Sequence, residues 1–575
     1  MSSTGLFRKK PMSQVSGEKS ADGQPKLART LSARDLTSFG IAAIIGAGIF
    51  SAIGNAAAAG GPAVIFLYIF TALACGFAAF AYAEFASMVP VSGSAYTYSY
   101  VAFGELIAWI IGWALIMEYA VGNIWVAVSW SDYFTGLLGA IHVGSFHGLH
   151  IPEWASIDYT SASNHFKSVS EELAKGTALA DIPANTLTGY NAWLNAPSIG
   201  GLKVIADIPA IAIIIFITWL VFRGIKETRN ASNAMVVIKL CVVFLVIVVG
   251  AFHVDFSNWS PFMPNGVSGV LGGVSAVFFA YIGFDAISTT AEECKDPEKD
   301  LPKGIMNAII ICTILYILIV LVLTGMVSYK ELAVGDPLAY VFEKLNMTWF
   351  SGIIAVSAVV AMTGVLLVYQ MGQPRIWMSM SRDGLLPKKF SNIHEKYKTP
   401  SFATIVVGFA VAIPTLFIPS DEVLNLCSMG TLFAFVLVCA GVLKLQNDPN
   451  RPPGKFRTPY LNGKFIMPAL LLLSGILIYL YGQEWLNDFT SYKDWSSFQD
   501  KIPMWLFIIV TLVVAVLAFM HDLSLIPVLG LVFCFYMMAQ IPLSSWFGFL
   551  IWLAIGLVIY FSFGIKNSKL NKATA

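Results

Sequence analysis

The chain has 575 residues, of which 57% are hydrophobic and only 12% are charged, and its mean hydropathy is +0.72. A soluble globular domain carries about 25% charged residues, so this composition excludes a soluble enzyme, a nucleic-acid-binding protein and a disordered chain. The net charge of +1 is too small to suggest a partner of opposite charge. The sequence predicts an all-α integral membrane protein. Its first apolar helix is expected to serve as the insertion signal, because the polar residues 1–36 contain no signal peptide.

Fourteen apolar runs are long enough to cross a bilayer core of about 30 Å, which requires roughly 20 residues in a helix. In chain order, these predicted spans are 37–58, 62–89, 105–139, 206–222, 231–252, 267–292, 304–327, 350–374, 402–418, 422–443, 465–482, 503–520, 523–541 and 546–564. An even number of spans places both termini on the same side of the membrane.

The distribution of basic residues predicts which side that is. With the N-terminus inside, 27 of the 35 Lys and Arg residues lie on inner segments and 7 lie on outer loops. Because cytoplasmic loops are enriched in Lys and Arg, both termini are predicted to be cytoplasmic. The polar segment 140–205 is then an extracellular loop. Loops of this length are usually functional or disordered, and the sequence does not decide between the two.

Two spans depart from the pattern of a continuous apolar helix. The first contains GIAAIIGAGIF, with Gly46 and Gly48 near its middle, and the sixth contains VFFAYIGFDAISTTAEE, with Gly283 followed by Asp285. Glycine costs a helix about 1 kcal/mol relative to alanine, and a charge at membrane depth needs a specific reason. Either the two helices are broken at these positions, or the small residues allow close helix packing.

The two departures occupy corresponding positions if spans one to five and six to ten form two halves. An odd number of spans per half requires the second half to be inverted, and in inverted repeats broken helices bind ligands near the membrane midplane. A free amino acid fits two such breaks. Its carboxylate would accept hydrogen bonds from the amides near Ala47 and Gly48. Its ammonium group would donate to carbonyl groups around Phe279, Ala280 and Ile282.

Lys239 lies in an otherwise apolar run, NAMVVIKLCVVFLVIVVG, about 13 Å along a helix from Asn230. In one interpretation, the side chain extends along the helix and places its ammonium group near the interface. In the other, the ammonium group contacts carbonyl groups of the broken first span, and its burial allows it to lose its proton during a transport cycle.

Two further buried positions have open interpretations. Glu118 lies about 20 Å from Glu105 along the third span. It either faces a substrate path or is a neutral carboxylic acid that bonds to a neighbouring helix. Met362 is by default a core-packing residue, and it would restrict side-chain volume if it faced a central cavity.

Six motifs distributed over residues 30–566 carry a family resemblance. They are GIAAIIGAGIF, YAEFASMVPVSGSAYTYSYVAFGE, FFAYIGFDAISTTAEECKDPEKDLPKGI, MGQPRIWMSMSRDGLLP, FRTPY and IPLSSWFGFLIWLAIGLVIYFSFG. Together they resemble the amino acid, polyamine and organocation (APC) transporter superfamily, in its cationic amino acid transporter branch. The resemblance implies a LeuT-like fold, in which a five-plus-five inverted repeat is followed by four additional C-terminal helices.

This resemblance implies a division of the chain into five parts. They are a cytoplasmic tail at 1–36, a first five-helix repeat at 37–252 with the extracellular loop 140–205, a second, inverted five-helix repeat at 267–443, four peripheral helices at 465–564 and a cytoplasmic tail at 565–575. The loop 140–205 is longer than the family pattern, and the resemblance implies no role for it.

The resemblance also implies roles for individual residues. The substrate-binding residues that it implies are Ile44, Ala47, Gly48, Glu118, Phe279, Ala280, Ile282, Phe284 and Met362. The resemblance implies that Phe284 is the aromatic gate over the bound substrate and that Met362 lines the pocket for the substrate side chain. Lys239 matches the lysine that stands in for sodium in proton-coupled members. Many relatives have Ser or Thr at the position of Ala47, so the carboxylate would depend on backbone amides here.

The predicted function is secondary active amino acid transport, by a proton-coupled symporter that works by alternating access in the plasma membrane. Small or medium neutral amino acids are slightly favoured over cationic ones because of Met362. The alternatives are an amino acid exchanger, a cationic amino acid carrier and a non-transporting amino acid sensor. The motifs GxSxG, HExxH and GxxxxGK[ST] are absent, so no enzyme, metal or cofactor is expected. The expected partners are the amino acid, protons and the lipid bilayer.

Overall fold

The computed structural model shows a predominantly helical chain whose core is formed by apolar helices. The residues that it describes are 5–10, 27, 29–140, 142–143, 146–147, 149–179, 182, 184–449, 451–492 and 494–574. Within these residues, the strands form two short antiparallel hairpins, β1 (His142–Val143) with β2 (Phe146–His147) and β3 (Ser198–Ile199) with β4 (Leu202–Lys203).

The first α-helix of the chain begins with a capping box, formed by Ser32 and Asp35. The Ser32 hydroxyl accepts a hydrogen bond from the Asp35 amide, and the Asp35 carboxylate accepts one from the Ser32 amide. The α-helices of the first half are α1 (Ala33–Ile44), α2 (Ile53–Gly60), α3 (Val64–Met88), α4 (Ala95–Ala102), α5 (Glu105–Ala140), α6 (Tyr159–Ala174), α7 (Ala184–Asn195), α8 (Ile208–Arg223) and α9 (Ile225–Ala251).

The second half contains the remaining helices, several of which are short connecting segments. They are α10 (Gly266–Gly272), α11 (Val274–Tyr281), α12 (Ala286–Thr289), α13 (Pro297–Met326), α14 (Pro337–Lys344), α15 (Thr348–Arg382), α16 (Ser401–Ala412), α17 (Ser420–Gln446), α18 (Gly463–Tyr481), α19 (Gln483–Thr490), α20 (Trp495–Gln499), α21 (Ile502–His521), α22 (Leu525–Ala539), α23 (Leu543–Ile559), α24 (Ile565–Asn567) and α25 (Lys569–Thr574).

Length and composition confirm a multi-pass membrane protein. Among the described residues, nine helical segments are long and apolar enough to cross a bilayer, or ten if one pair bent by 42°, Gly266–Gly272 with Val274–Thr289, is counted as a single span. Three shorter helices, Ile208–Arg223, Ser401–Leu416 and Leu525–Ala539, are also apolar. Each of the fourteen predicted spans overlaps an apolar helix. The count of fourteen and the inverted repeat remain predictions.

The predicted outer loop 140–205 contains helices and both hairpins. The carboxylate of Asp158 accepts a hydrogen bond from the Ser161 amide at 2.8 Å and so begins α6. A small apolar cluster separate from the main core holds this segment together. Its members are Ala162, Ala192, Ala196 and Ile205, with Trp154, Ile157, Tyr159 and Trp193 packed around them. The described part of the loop is therefore folded, which its polar sequence did not predict.

The long helix α15 is fixed against the end of the sixth predicted span by a buried ion pair. Arg375 donates to both carboxylate oxygens of Glu293, from Nε at 2.9 Å and from Nη2 at 2.6 Å. Both side chains are almost completely buried. Removing one partner of such a pair typically destabilises a protein by about 3–5 kcal/mol, because the other charge stays buried. The pair therefore holds α15 beside the segment that follows α12.

Candidate functional site

The first predicted span is broken at its glycines. Helix α1 ends at Ile44, and Ile45 takes an extended conformation with φ −80° and ψ 98°. A π-helical turn at Gly48–Ala52 then leads into α2. Ala47 and Gly48 begin this second segment, where backbone N–H groups have no intrahelical acceptor. The break therefore presents amide donors in the interior of the bundle.

The sixth predicted span is broken as well. Helix α11 ends at Tyr281, and Ile282 is extended, with φ −64° and ψ 145°. Gly283 follows with φ 118°, a conformation that residues with a side chain rarely adopt. The helix resumes only at Ala286. Carbonyl groups at the end of α11 are thereby released from the regular helical pattern.

The two breaks touch each other. Gly48 packs so closely on α11 that an added Cβ would overlap the backbone of Ala280. From the other break, a Cβ at Gly283 would lie 2.6 Å from the Cβ of Ala43, closer than real Cβ atoms approach. Both interpretations of the glycines are therefore correct. The helices are broken there, and the absence of side chains lets the two breaks meet.

A tyrosine from a third helix joins the two breaks. The hydroxyl of Tyr316, on α13, lies 2.7 Å from the carbonyl oxygen of Ile44 and 2.8 Å from that of Ala280. The hydroxyl has a single proton, so the two carbonyl groups share one donor. Its ring is fully buried and packs edge-on against Tyr68 and Tyr281. Tyr316 therefore fixes the separation of the two breaks.

We expect Tyr316→Phe to lower the rate of substrate uptake about tenfold without unfolding the protein. The ring stays, but two buried carbonyl groups lose their common donor, at a cost of about 1–3 kcal/mol. Initial uptake rates into proteoliposomes and the midpoint of thermal unfolding would measure the two effects. Tyr68→Phe is the matched control, because the Tyr68 hydroxyl is buried without a hydrogen-bond partner among the described residues. Equal uptake by both variants would contradict a positioning role for Tyr316.

Lys239, on α9, reaches the first break. Its Nζ donates to the carbonyl oxygen of Ile45 at 2.6 Å and to that of Ala42 at 3.0 Å. The side chain is completely buried. Its ammonium group therefore lies in the interior of the bundle, at carbonyl groups that the end of α1 leaves without helical donors, and not at the membrane interface.

A pair of buried carboxyl groups lies beside the second break. Asp285 accepts a hydrogen bond from the Tyr119 hydroxyl at 2.9 Å. Glu118, the residue before Tyr119 on α5, is close enough to Asp285 for an electrostatic interaction. One oxygen of each carboxyl group, Oδ1 of Asp285 and Oε2 of Glu118, is buried without a partner among the described residues. Two acceptors are thus available to a donor.

Aromatic side chains cover the second break. Phe284 lies between Tyr82 and Phe435, with ring centroids at 5.7 and 4.9 Å. Phe279 packs edge-on against Trp125, with centroids at 4.7 Å. Such offset and edge-on contacts stabilise aromatic pairs beyond the area that they bury. The break is therefore closed by rings from α3, α5 and α17.

All predicted substrate-binding residues are buried, so the site is closed to solvent in this conformation. They are Ile44, Ala47, Gly48, Glu118, Phe279, Ala280, Ile282, Phe284 and Met362. The structure brings together the residues of the two breaks, and it places Glu118 beside Asp285. Met362 lies on α15, three residues before Val365, which packs against Gly46.

Sequence reasoning missed Tyr316 and Tyr119. Tyr316 stands alone in the apolar run IIICTILYILIVLVL, and a buried tyrosine hydroxyl usually finds an acceptor. A search for single hydroxyl-bearing side chains in the middle of apolar predicted spans would have identified Tyr316 as a candidate. For Asp285, the sequence indicated that its charge needs a reason but did not identify its neighbours. Tyr119 and Glu118 come from a distant span, and nothing in their local sequence indicates that contact.

Comparison with known proteins identifies the family of the chain. Residues 31–519 match the family described as Amino acid permease, and residues 523–568 match the one described as C-terminus of AA_permease. The chain belongs to the amino acid permease family. This membership confirms the resemblance to the APC superfamily, and it indicates that the permease is a transporter and not an enzyme.

Three relatives have different substrates in their names. The permease is 36% identical to the methylthioribose transporter of Bacillus subtilis (strain 168), over 99% of the permease and 100% of the relative. It is also 36% identical to the branched-chain amino acid permease BcaP of the same strain, over 99% of both chains. It is 34% identical to the vacuolar cationic amino acid transporter 2 of Arabidopsis thaliana, over 77% of the permease and 63% of the relative. The second and third names support amino acid transport, and the three together do not indicate one substrate.

Proposed function

We propose that the permease is a proton-coupled amino acid symporter that works by alternating access. The observation that carries this proposal is the direct contact between two helix breaks in the interior of the bundle. One break presents backbone N–H groups and the other presents carbonyl groups. Together these groups are complementary to the carboxylate and the ammonium group of a zwitterion.

In the proposed binding mode, the backbone recognises the charged ends of the substrate. The amides of Ala47 and Gly48 donate to its carboxylate. The carbonyl groups of Phe279, Ala280 and Ile282 accept from its ammonium group. The Phe279 carbonyl already accepts from the Ile282 amide at 3.2 Å, and the Ala280 carbonyl accepts from a tyrosine. Each carbonyl oxygen has two lone pairs and can accept a second donor.

In the same proposal, Lys239 couples transport to protons. When charged, its ammonium group holds the carbonyl groups of Ala42 and Ile45 and so stabilises the closed first break. When it loses its proton, those charge-assisted bonds weaken and the break is free to move. The proton would leave with each opening toward the inside and would be replaced from the outside.

Side chains around the breaks would select the substrate. Phe284 is proposed to close over the bound amino acid, and Met362 to limit the volume of its side chain, which favours small or medium neutral amino acids. The unpartnered oxygens of Glu118 and Asp285 support a second candidate, a cationic amino acid carrier, because a cationic side chain supplies the donors that they lack.

The proposal includes the predicted architecture and orientation. Residues 37–252 and 267–443 would form the two inverted five-helix repeats of a LeuT-like fold, and residues 465–564 the four peripheral helices. Both termini would be cytoplasmic, since 27 of the 35 basic residues then face inward. A proton gradient acts across the plasma membrane, which is the proposed location.

The proposal is tested in proteoliposomes by measuring counterflow of a labelled amino acid. All twenty amino acids and methylthioribose are added in turn as competitors, and the inhibition by each is compared. We expect competition by small or medium neutral amino acids, and faster accumulation of the best competitor when an inward acid gradient is imposed. Competition by methylthioribose alone would overturn the zwitterion site. Accumulation that ignores the gradient would indicate an exchanger, and ligand-dependent thermal stabilisation without flux would indicate a sensor.

A further inference from the structure

A cleft with a volume of about 360 Å³ opens where several membrane-spanning helices end. It is lined by residues at the end of α17 and by Glu84 near the end of α3, together with the loop that precedes α18 and the turn between α21 and α22. The ends of spanning helices mark the boundary between membrane and water. We call this site, which is separate from the two helix breaks, the boundary cleft.

The charges that line the boundary cleft leave one cation uncompensated. The guanidinium of Arg451 pairs with Glu84. Lys464, at the start of α18, pairs with Asp522 at 3.2 Å. Arg457 also lines the cleft and is exposed, and within the part of the chain that the structure describes it has no ion pair and no hydrogen bond. The lining holds two acidic and two basic side chains, and because Asp522 is paired with Lys464 from outside the lining, the guanidinium of Arg457 is the charge left without a counter-ion in the described part of the chain.

Two buried donors in the boundary cleft also have no acceptor. Nε of Arg451 and the hydroxyl of Ser524 have no hydrogen-bond partner among the described residues. The Ser524 side chain is 6% exposed, so bulk water does not readily replace the missing partner. Burial and the neighbouring charge of Arg457 both lower the pKa of Arg451. Arg451 and Arg457 line the same cleft, so their like charges interact unfavourably and an anion beside Arg457 would relieve this repulsion.

We propose that the boundary cleft binds the phosphate group of an anionic phospholipid. Guanidinium groups match phosphate oxygens in geometry and charge, and the Ser524 hydroxyl supplies a further donor. Basic pockets between spanning helices are typical binding sites for anionic headgroups. A free phosphate has the same chemistry, but the membrane side of the cleft favours a lipid. Tyr460, which lines the cleft, and Leu461 and Phe465, which follow it in the chain, are at least half exposed and offer an apolar surface to acyl chains.

The experiment uses the full permease in a neutral detergent with added phosphatidylglycerol, phosphatidylcholine or inorganic phosphate at constant ionic strength. Native mass spectrometry counts the retained lipids, and thermal unfolding gives an apparent affinity. We expect phosphatidylglycerol to be retained and to stabilise the permease, and the other two to do so weakly. Arg457→Gln is expected to weaken the phosphatidylglycerol affinity about tenfold, because it removes one charge-assisted hydrogen-bonding group. Ser524→Ala is expected to weaken it less.

Arg223→Gln is the matched control, because it removes an exposed arginine that packs on Trp219 and takes no part in the boundary cleft. It is expected to retain phosphatidylglycerol like the unmodified permease. The proposal is overturned if Arg457→Gln binds phosphatidylglycerol as tightly as Arg223→Gln does. It is also overturned if inorganic phosphate alone stabilises the permease as much as phosphatidylglycerol. Neither result bears on amino acid transport, so this proposal and the proposed function fail separately.

Discussion

Replacing Lys239 with glutamine is expected to abolish proton-driven accumulation of the substrate. The Nζ donates two hydrogen bonds at the end of α1, to the carbonyl oxygens of Ile45 and Ala42. Each hydrogen bond from a charged donor contributes about 1.5–3 kcal/mol, and a neutral amide cannot gain or lose a proton in the cycle. We expect at least a tenfold loss of uptake driven by an inward acid gradient, measured in proteoliposomes against uptake without a gradient.

Arginine at the same position separates coupling from structure. Lys239→Arg keeps a positive charge, but its guanidinium stays protonated throughout the cycle. If Lys239 carries the proton, Lys239→Arg is also expected to lose gradient-driven accumulation while it still folds and binds substrate. If the charge is only structural, Lys239→Arg should restore transport. Lys389→Gln removes an exposed lysine from the short 3-10 helix Lys388–Ser391 and is the matched control. Gradient-driven accumulation by Lys239→Gln would remove Lys239 from the coupling mechanism.

The membrane explains why the spans and the breaks could be predicted from the sequence. Hydrocarbon requires that backbone groups bond within a helix, so apolar length alone indicates a span. For the same reason, two glycines around Ala47, or a glycine two residues before Asp285, mark the places where the helix pattern fails. Lys239 was identified by the same reasoning, because a charge inside an apolar run needs a partner.

Contacts between distant segments could not be predicted in the same way. Tyr316 bonds to a carbonyl 272 residues earlier and to another 36 residues earlier, and no local pattern encodes that pairing. The sequence does not decide whether Glu118 faces a substrate path or a neighbouring helix, because the position of Asp285 relative to α5 depends on packing. The loop 140–205 has a polar sequence that suits either a folded or a disordered segment, and its small apolar cluster forms only when α6 and α7 meet.

The contact between the two breaks can be tested from both sides with the smallest substitution available. Gly48→Ala places a Cβ on the backbone of Ala280, and Gly283→Ala places one 2.6 Å from Ala43 while also imposing a φ of 118° on alanine. Overpacking and a strained backbone each cost about 1–3 kcal/mol. We expect each variant to lose at least nine-tenths of its uptake rate, measured as initial uptake into proteoliposomes at matched protein content.

The control for this pair lies in the same broken span. Gly272→Ala introduces the same methyl group at the end of α10, where an added Cβ meets nothing within 4 Å, and it should transport normally. A compensating substitution then distinguishes the effect of steric overlap from the effect of backbone strain. Ala43→Gly removes the Cβ that opposes Gly283→Ala, so the double variant is expected to regain part of its uptake but not the part lost to the strained φ. If Gly48→Ala and Gly283→Ala transport as well as Gly272→Ala, close contact between the breaks is not needed for transport. The zwitterion site built from their amides and carbonyl groups would then lose its physical basis, since those groups can reach both ends of one amino acid only while the breaks are in contact.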